Sequence, residues 1–133
     1  MQKLSIVSLL LALFMLCSCT SAGETAVYKE DTTLGNGSKV LTVKVTDTEK
    51  TITFTINTDA KTVGDALSEH NLISGEQGQF GLYIKVVNGT RADFDKDGAY
   101  WGFYDKNGGY MNSGVDTTAI KDGDVYELKY TKG

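Results

Sequence analysis

The sequence contains no proline, one histidine and two cysteines. Both cysteines, Cys17 and Cys19, lie near the amino terminus. The rest of the chain therefore offers no thiol for a disulfide bond, a thiolate zinc site or a cysteine nucleophile. A single histidine without a carboxylate cluster makes no transition-metal site, and the few serines have no neighbouring general base. We therefore expect a protein without enzymatic activity.

The first residues have the pattern of an export signal. Lys3 is followed by a mainly apolar run from Ile6 to Leu16, which is shorter than the roughly 20 residues that span a bilayer. The run ends in Leu16-Cys17-Ser18-Cys19, which resembles the bacterial lipobox. That resemblance implies cleavage after Ser18 and a diacylglyceryl group on Cys19, which would anchor the protein outside the cytoplasm on the bacterial cell membrane. A plain secretory signal with two incidental cysteines is the alternative.

Three segments follow from this interpretation. Residues 1–18 are a lipoprotein signal peptide, residues 19–38 are a small, polar, flexible tether, and residues 39–133 are one folded domain. Removal of the signal peptide takes away one cation and no acid, so the net charge of −4 becomes about −5. This negative charge argues against nucleic acid or an anionic lipid face as a partner.

Alternating and helical patterns predict the elements of the domain. Strict alternation predicts an antiparallel hairpin of strands 40–46 and 51–57, and a period of 3.6 predicts one short helix within residues 62–72. Three more strands are predicted at 79–88, 100–104 and 125–130. The order β-β-α-β-β-β predicts an α+β, β-grasp-like fold with one helix against a mixed five-stranded sheet.

The aromatic strand 100–104 gives the clearest functional signal. Side chains alternate along a strand, so Trp101 and Phe103 share one face, while Tyr100 and Tyr104 share the other. One helix covers only one face of a sheet, so some of these rings are expected to be exposed near the loop that contains Tyr110. Exposed rings suit flat apolar ligands, peptides or sugars. The alternative is that the rings pack under the segment from 111 to 120.

A second candidate site is the run Asp93-x-Asp95-x-Asp97-Gly98. It resembles the first half of a calcium loop, because oxygen ligands stand at positions 1, 3 and 5 and a glycine stands at position 6. Tyr104 occupies the place of the bidentate glutamate at position 12, so a calcium site here would be weak. An acidic surface turn is the alternative.

An ordered set of motifs resembles the transcobalamin-like C-terminal domain family, which is similar to the β-domain of intrinsic factor and transcobalamin. The match runs from about residue 39 to 132. The motifs are Val63-x-Asp65-x-Leu67, Val87-Asn88-Gly89, Ala92-Asp93, Tyr100-Trp101-x-Phe103-Tyr104, Gly114-Val115-Asp116 and Asp122-Gly123-Asp124-x-Tyr126-Glu127-x-x-Tyr130.

The resemblance implies a binding role, with ligand contacts at Trp101, Phe103, Tyr110 and the loop through Gly114. The aromatic strand adds Tyr100 to these predicted ligand-binding residues. In the animal carriers this domain closes over cobalamin that is held on a separate helical barrel. The sequence contains no such barrel, so we expect weak binding unless a partner supplies the other face. We therefore expect a non-enzymatic surface lipoprotein that captures a small molecule such as a corrinoid and needs no cofactor. Two alternatives are an adhesion module that binds a surface protein or glycan, and a calcium-stabilised structural domain.

Overall fold

The computed structural model of the protein describes residues 26–133. The predicted signal peptide, its cleavage site and Cys19 lie outside the described residues. Within residues 26–133, no helix is long and apolar enough to cross a membrane.

The hairpin at the start of the domain forms as the alternation predicts. Strand β2 (Lys39–Thr46) pairs antiparallel with β3 (Thr51–Thr58), and their alternate apolar residues are buried on one face. The turn between them is closed by Asp47, whose Oδ1 accepts the backbone N–H of Glu49 at 2.7 Å and of Lys50 at 3.0 Å. Local side-chain capping of this kind fixes the register of the hairpin.

The main sheet is mixed and has five strands, in the order β1 (Thr32–Leu34), β3, β2, β8 (Val125–Lys132) and β7 (Ala99–Asp105). The outer members are β1, parallel to β3, and β7, antiparallel to β8. Strand β8 runs parallel to β2. With its one principal helix, this architecture is the α+β class that the sequence predicts, although the membership of the sheet differs.

The helix packs on the apolar face of this sheet. Helix α1 (Val63–Glu69) begins at the predicted cap, where Thr62 Oγ1 accepts the N–H of Asp65 at 3.1 Å. Its Leu67 and the sheet residues Phe54 and Leu128 are fully buried in one core. Burial of side chains of this size stabilises the fold by about 1.5–3 kcal/mol each.

The prediction that 79–88 belongs to the main sheet is wrong. The corresponding strand β5 (Gly81–Val87) lies in a second, three-stranded sheet, between β4 (Ile73–Gly78) and β6 (Thr90–Arg91). Strand β4 is polar and almost wholly exposed, so it carries no apolar alternation that marks it as a partner. The tight turn between β5 and β6 places Asn88 and Gly89 at positive φ, which asparagine and glycine tolerate best.

The prediction of a flexible tether is wrong for residues 26–38. Strand β1 takes the fifth place in the main sheet, and the Tyr28 ring contacts the Phe54 ring edge-on at 5.5 Å. Asn88 fixes the same segment, because its side chain accepts the N–H of Tyr28 at 2.8 Å and donates to the Tyr28 carbonyl at 2.9 Å. A three-residue strand is too short to show a period, which is why the sequence does not reveal it.

Candidate ligand-binding cleft

The alternation of β7 separates its rings into two groups. Trp101 and Phe103 face the core and are 6% and 8% exposed. Trp101 meets the ring of Tyr130 edge-on at 5.6 Å, and Phe103 meets the ring of Tyr126 at 5.2 Å. The Trp101 Nε1 also donates to the carbonyl of Thr90 in β6 at 3.1 Å, so this side chain links the second sheet to the main sheet.

The outer face of β7 carries tyrosines around Gly102. A Cβ at this glycine would lie 2.6 Å from Tyr104 Oη and 2.7 Å from its Cε2, so the Tyr104 ring occupies the space above the glycine. The same ring contacts Tyr110 edge-on at 5.6 Å and the Lys129 ammonium at 5.6 Å. Desolvation raises the pKa of the neighbouring Tyr100 phenol, and the phenols of Tyr104 and Tyr110 raise it further.

An open cleft of about 390 Å³ lies between β7, the β4–β5 hairpin and the segment that follows Tyr110. All five predicted ligand-binding residues line this one cleft: Tyr100, Trp101, Phe103, Tyr110 and Gly114. The remaining lining residues are Phe80, Leu82, Tyr83, Ile84, Met111, Asn112, Ser113 and Val115. Its volume is within the range of small-molecule sites, about 300–1,000 Å³, but at the lower end of it. We name this feature the aromatic cleft.

Phe80 lines the cleft but was not predicted from the sequence as a site residue. It lies at the tip of the β4–β5 hairpin and is 88% exposed. Gly81 beside it has a φ of +110°, which a turn here requires and other residues rarely adopt. A side chain that is so exposed buries little surface in the core, and with the other rings of the cleft it forms a contiguous apolar patch of the kind that marks interaction sites. The Gly-Gln-Phe-Gly sequence at 78–81 is the signal that points to it.

The third wall is a short loop that is held in place from two sides. A 3₁₀ turn, Val115–Thr117, packs beside α1, where the N–H of Val63 donates to the Thr118 carbonyl at 2.9 Å. On the other side, Asp116 Oδ2 accepts the N–H of Leu82 in β5 at 3.1 Å. Asp116 thus joins the loop wall to the hairpin wall. None of the residues that line the aromatic cleft carries a charge.

The three aspartates of the candidate calcium loop are not brought together. Asp93 caps a single helical turn, α2 (Phe94–Asp97), by accepting the N–H groups of Asp95 and Lys96 at 3.1 and 3.3 Å. Side chains of one helical turn point in different directions, so these carboxylates do not converge. Among residues 26–133, no group of three or more histidine, cysteine, aspartate or glutamate side chains is placed to hold a metal ion.

The solved structures that resemble this fold include the following two. A protein from Ruminococcus gnavus ATCC 29149, described provisionally as metal binding, is 35% identical with a TM-score of 0.67, and the alignment covers 71% of this chain and 98% of that one. Haptocorrin in complex with Cbi is 17% identical with a TM-score of 0.56, and covers 73% of this chain. The alignment covers only 26% of haptocorrin, and at this identity the likeness concerns the fold alone.

Curated proteins give no match to the chain. A family model does match, over residues 60–132. This range contains α1, the β4–β5 hairpin, β7 and the loop of Asp116, and therefore every wall of the aromatic cleft. The chain belongs to the family described as domain of unknown function DUF4430.

Proposed function

We propose that this protein is a non-enzymatic binding lipoprotein of the bacterial cell surface, and that its aromatic cleft captures a flat small molecule, with a corrinoid as the named candidate. The observation that carries the proposal is the convergence of six aromatic side chains on one open, uncharged cleft. One of them, Phe80, is held almost entirely in solvent. Contiguous exposed aromatic surface of this kind marks interaction sites, because an exposed ring contributes little to the stability of the fold.

The shape of the cleft suits one face of a large planar ligand. It is open and modest in volume, so it does not enclose a macrocycle but contacts part of it. The likeness to haptocorrin concerns the fold alone. The role as one half of a carrier site comes from the resemblance of the sequence motifs to the transcobalamin-like domain. A second protein or a second copy of the chain would then cover the other face of the ligand, which raises affinity by adding contact area.

The description of the Ruminococcus gnavus relative as metal binding fits this ligand class. A corrinoid carries its cobalt ion inside the ring, so a protein that binds it needs no side-chain cluster of metal ligands. Residues 26–133 of this chain contain no such cluster. We therefore favour a metal-bearing small molecule over a free cation.

A fluorescence titration tests the proposal. Trp101 is the only tryptophan and lines the cleft, so bound cobinamide or cobalamin should quench its emission with a saturable curve. Phe80→Ala should weaken binding about fivefold or more, because one exposed aromatic contact contributes about 1 kcal/mol. Phe94→Ala is the matched control, because Phe94 is also exposed, at 53%, but does not line the cleft.

Two results would contradict the proposal. If quenching at near-millimolar corrinoid equals the inner-filter effect measured on free tryptophan, a corrinoid is not the ligand. If Phe80→Ala and Phe94→Ala weaken binding equally, the ligand binds elsewhere.

The membrane anchor is a separate part of the proposal and is carried by the lipobox-like sequence at 16–19. Cys19→Ser should release the protein from the membrane fraction of expressing cells and abolish incorporation of labelled fatty acid. If the variant stays in the membrane fraction and still incorporates labelled fatty acid, lipidation at this residue is contradicted.

The exposure of Phe80, Tyr83 and Tyr110 also favours a second function, which is recognition of a surface protein or glycan. Capture of one defined partner by the wild type and by Phe94→Ala, with loss in Phe80→Ala, would support it. Phe80 is the residue to test here, because Trp101 is buried and its removal disturbs the fold.

A further inference from the structure

The Asp116 carboxylate lies between two walls of the aromatic cleft with one oxygen unpaired. Its Oδ2 accepts the N–H of Leu82, while Oδ1 is buried and has no hydrogen-bond partner among the described residues. A Cβ at Gly81 would lie 2.7 Å from Oδ1, so only glycine at this place allows the carboxylate to approach. A buried carboxylate oxygen without a partner is costly and calls for an explanation.

The position of Asp116 is fixed from behind as well. A Cβ at Gly64 of α1 would lie 3.0 Å from Asp116 Cα, so the helix backbone packs directly on this residue. Its neighbours Gly114 and Val115 line the cleft, and so does its hydrogen-bond donor Leu82. The carboxylate therefore lies directly behind the cleft wall and cannot retreat into the helix.

The hydrogen bonds of Asp116 do not offset its charge, because Oδ2 accepts a backbone N–H and Oδ1 has no hydrogen-bond partner among residues 26–133. The ion pair of Lys85 with Glu76, at 3.8 Å, does not involve Asp116. The cleft itself is lined by uncharged residues. A carboxylate in such surroundings exerts a stronger field than it would in water, because the effective dielectric constant is lower.

The rings of the cleft also favour ligands that carry a positive charge. The faces of tyrosine, tryptophan and phenylalanine rings are electron-rich and attract cations, and aromatic cages recognise organic cations in this way. Lys85 already lies 5.5 Å from the Tyr83 ring centroid, in this geometry. A lining of rings backed by an unpaired carboxylate is chemically selective for positive charge.

We propose that Asp116 and the surrounding rings make the aromatic cleft selective for planar ligands that carry a positive charge. This inference rests on the proposed binding function and narrows its ligand class. Cobalt corrinoids with a net positive charge belong to this class, as do planar quaternary ammonium compounds. Asp116 acts as a specificity-determining residue through its field, and not by direct contact with the ligand.

Two probes of the same ring system test the selectivity without any corrinoid. Equilibrium dialysis of the full chain, at neutral pH, compares N-methylquinolinium, a cation, with quinoline, which is uncharged there. The wild type should bind the cation about fivefold or more tightly, the magnitude of a cation–π preference strengthened by a nearby anion. Asp116→Asn keeps an acceptor for Leu82 but removes the charge, so the preference should fall at least about twofold while quinoline affinity stays unchanged.

Asp47→Asn is the matched control. Asp47 also accepts backbone N–H groups in a turn, but its partners, Glu49 and Lys50, do not line the cleft, whereas the partner of Asp116 does. This variant changes the net charge equally and should keep the wild-type preference. An unchanged preference in a folded Asp116→Asn variant overturns the proposal. Equal affinity of the wild type for the two probes, or binding of neither, overturns it even if the variant does not fold.

The two proposals fail in distinguishable ways. A cation preference without corrinoid binding removes the corrinoid as ligand but supports the charge selectivity. Corrinoid binding with equal affinity for the two probes supports the proposed function and overturns the role of Asp116.

Discussion

Replacement of Trp101 by phenylalanine tests whether this side chain holds the two sheets together. Its indole N–H donates to Thr90 of the second sheet, and its ring packs on Tyr130 of the main sheet. Phenylalanine keeps an aromatic ring in the core but loses the donor and part of the ring. The substitution therefore separates the link between the sheets from general hydrophobic burial.

The loss of stability in Trp101→Phe has two contributions. Loss of part of the indole surface, which is almost wholly buried, costs about 1 kcal/mol at the usual value per unit of apolar area. Loss of the hydrogen bond to Thr90, with its carbonyl left without this donor, costs about 1–2 kcal/mol more. We expect the free energy of unfolding to fall by about 2–3 kcal/mol, which lowers the Tm of a domain of this size by about 10 °C or more.

Urea and thermal unfolding followed by far-UV circular dichroism measure this change. Phe80→Ala serves as the comparison, because its ring is 88% exposed and its loss should change stability by less than about 0.5 kcal/mol. If Trp101→Phe is as stable as Phe80→Ala, the link through Trp101 does not hold the sheets together.

Three further predictions concern other parts of the domain. Asn88→Ala should lower the free energy of unfolding by about 1–3 kcal/mol, since it removes both hydrogen bonds to Tyr28. It should also speed amide hydrogen exchange at residues 26–34, and unchanged exchange there would contradict the anchoring role of Asn88. Burial and the Asp124 charge raise the pKa of Tyr126 above its ordinary 10.0. This phenol therefore stabilises the fold below pH 10, and the contribution is lost as pH rises through the folded pKa. The Tm of Tyr126→Phe should fall less than that of the wild type above pH 10, and an equal fall would refute this. Because Asp93, Asp95 and Asp97 do not converge, Tm should be the same in chelator and in millimolar calcium, and a clear rise with calcium would show a site that the fold does not reveal.

The regular elements are predictable where burial imposes a period. Residues 40–46 and 51–57 alternate because one face of each strand is buried, and α1 follows from its cap and its apolar stripe. The partners of β5 were not predictable in this way, because β4 is exposed and has no apolar pattern. A period shows that a strand exists, but it does not show to which sheet the strand belongs.

The cleft was predictable only along one of its walls. The crowded rings of β7 indicate a site by their composition, and their neighbours Tyr110 and Gly114 came from the family resemblance. Phe80 and Asp116 required the fold, because the first is brought to the cleft by the β4–β5 hairpin, whose first strand is exposed and has no apolar pattern. The second is held at the cleft wall by a hydrogen bond to a residue 34 positions away along the chain. Tertiary placement, and not local sequence, makes these two residues part of the site.

Amide chemical-shift mapping with cobinamide is the most direct test of whether the aromatic cleft is the ligand site. We expect the largest shifts along the cleft walls, at residues 80–84, 100–103 and 110–115. A second cleft of about 300 Å³ is lined by residues 105–107 and 123–126 and provides the internal comparison. Shifts confined to that second cleft, or no shifts at near-millimolar ligand, would show that the aromatic cleft does not bind cobinamide.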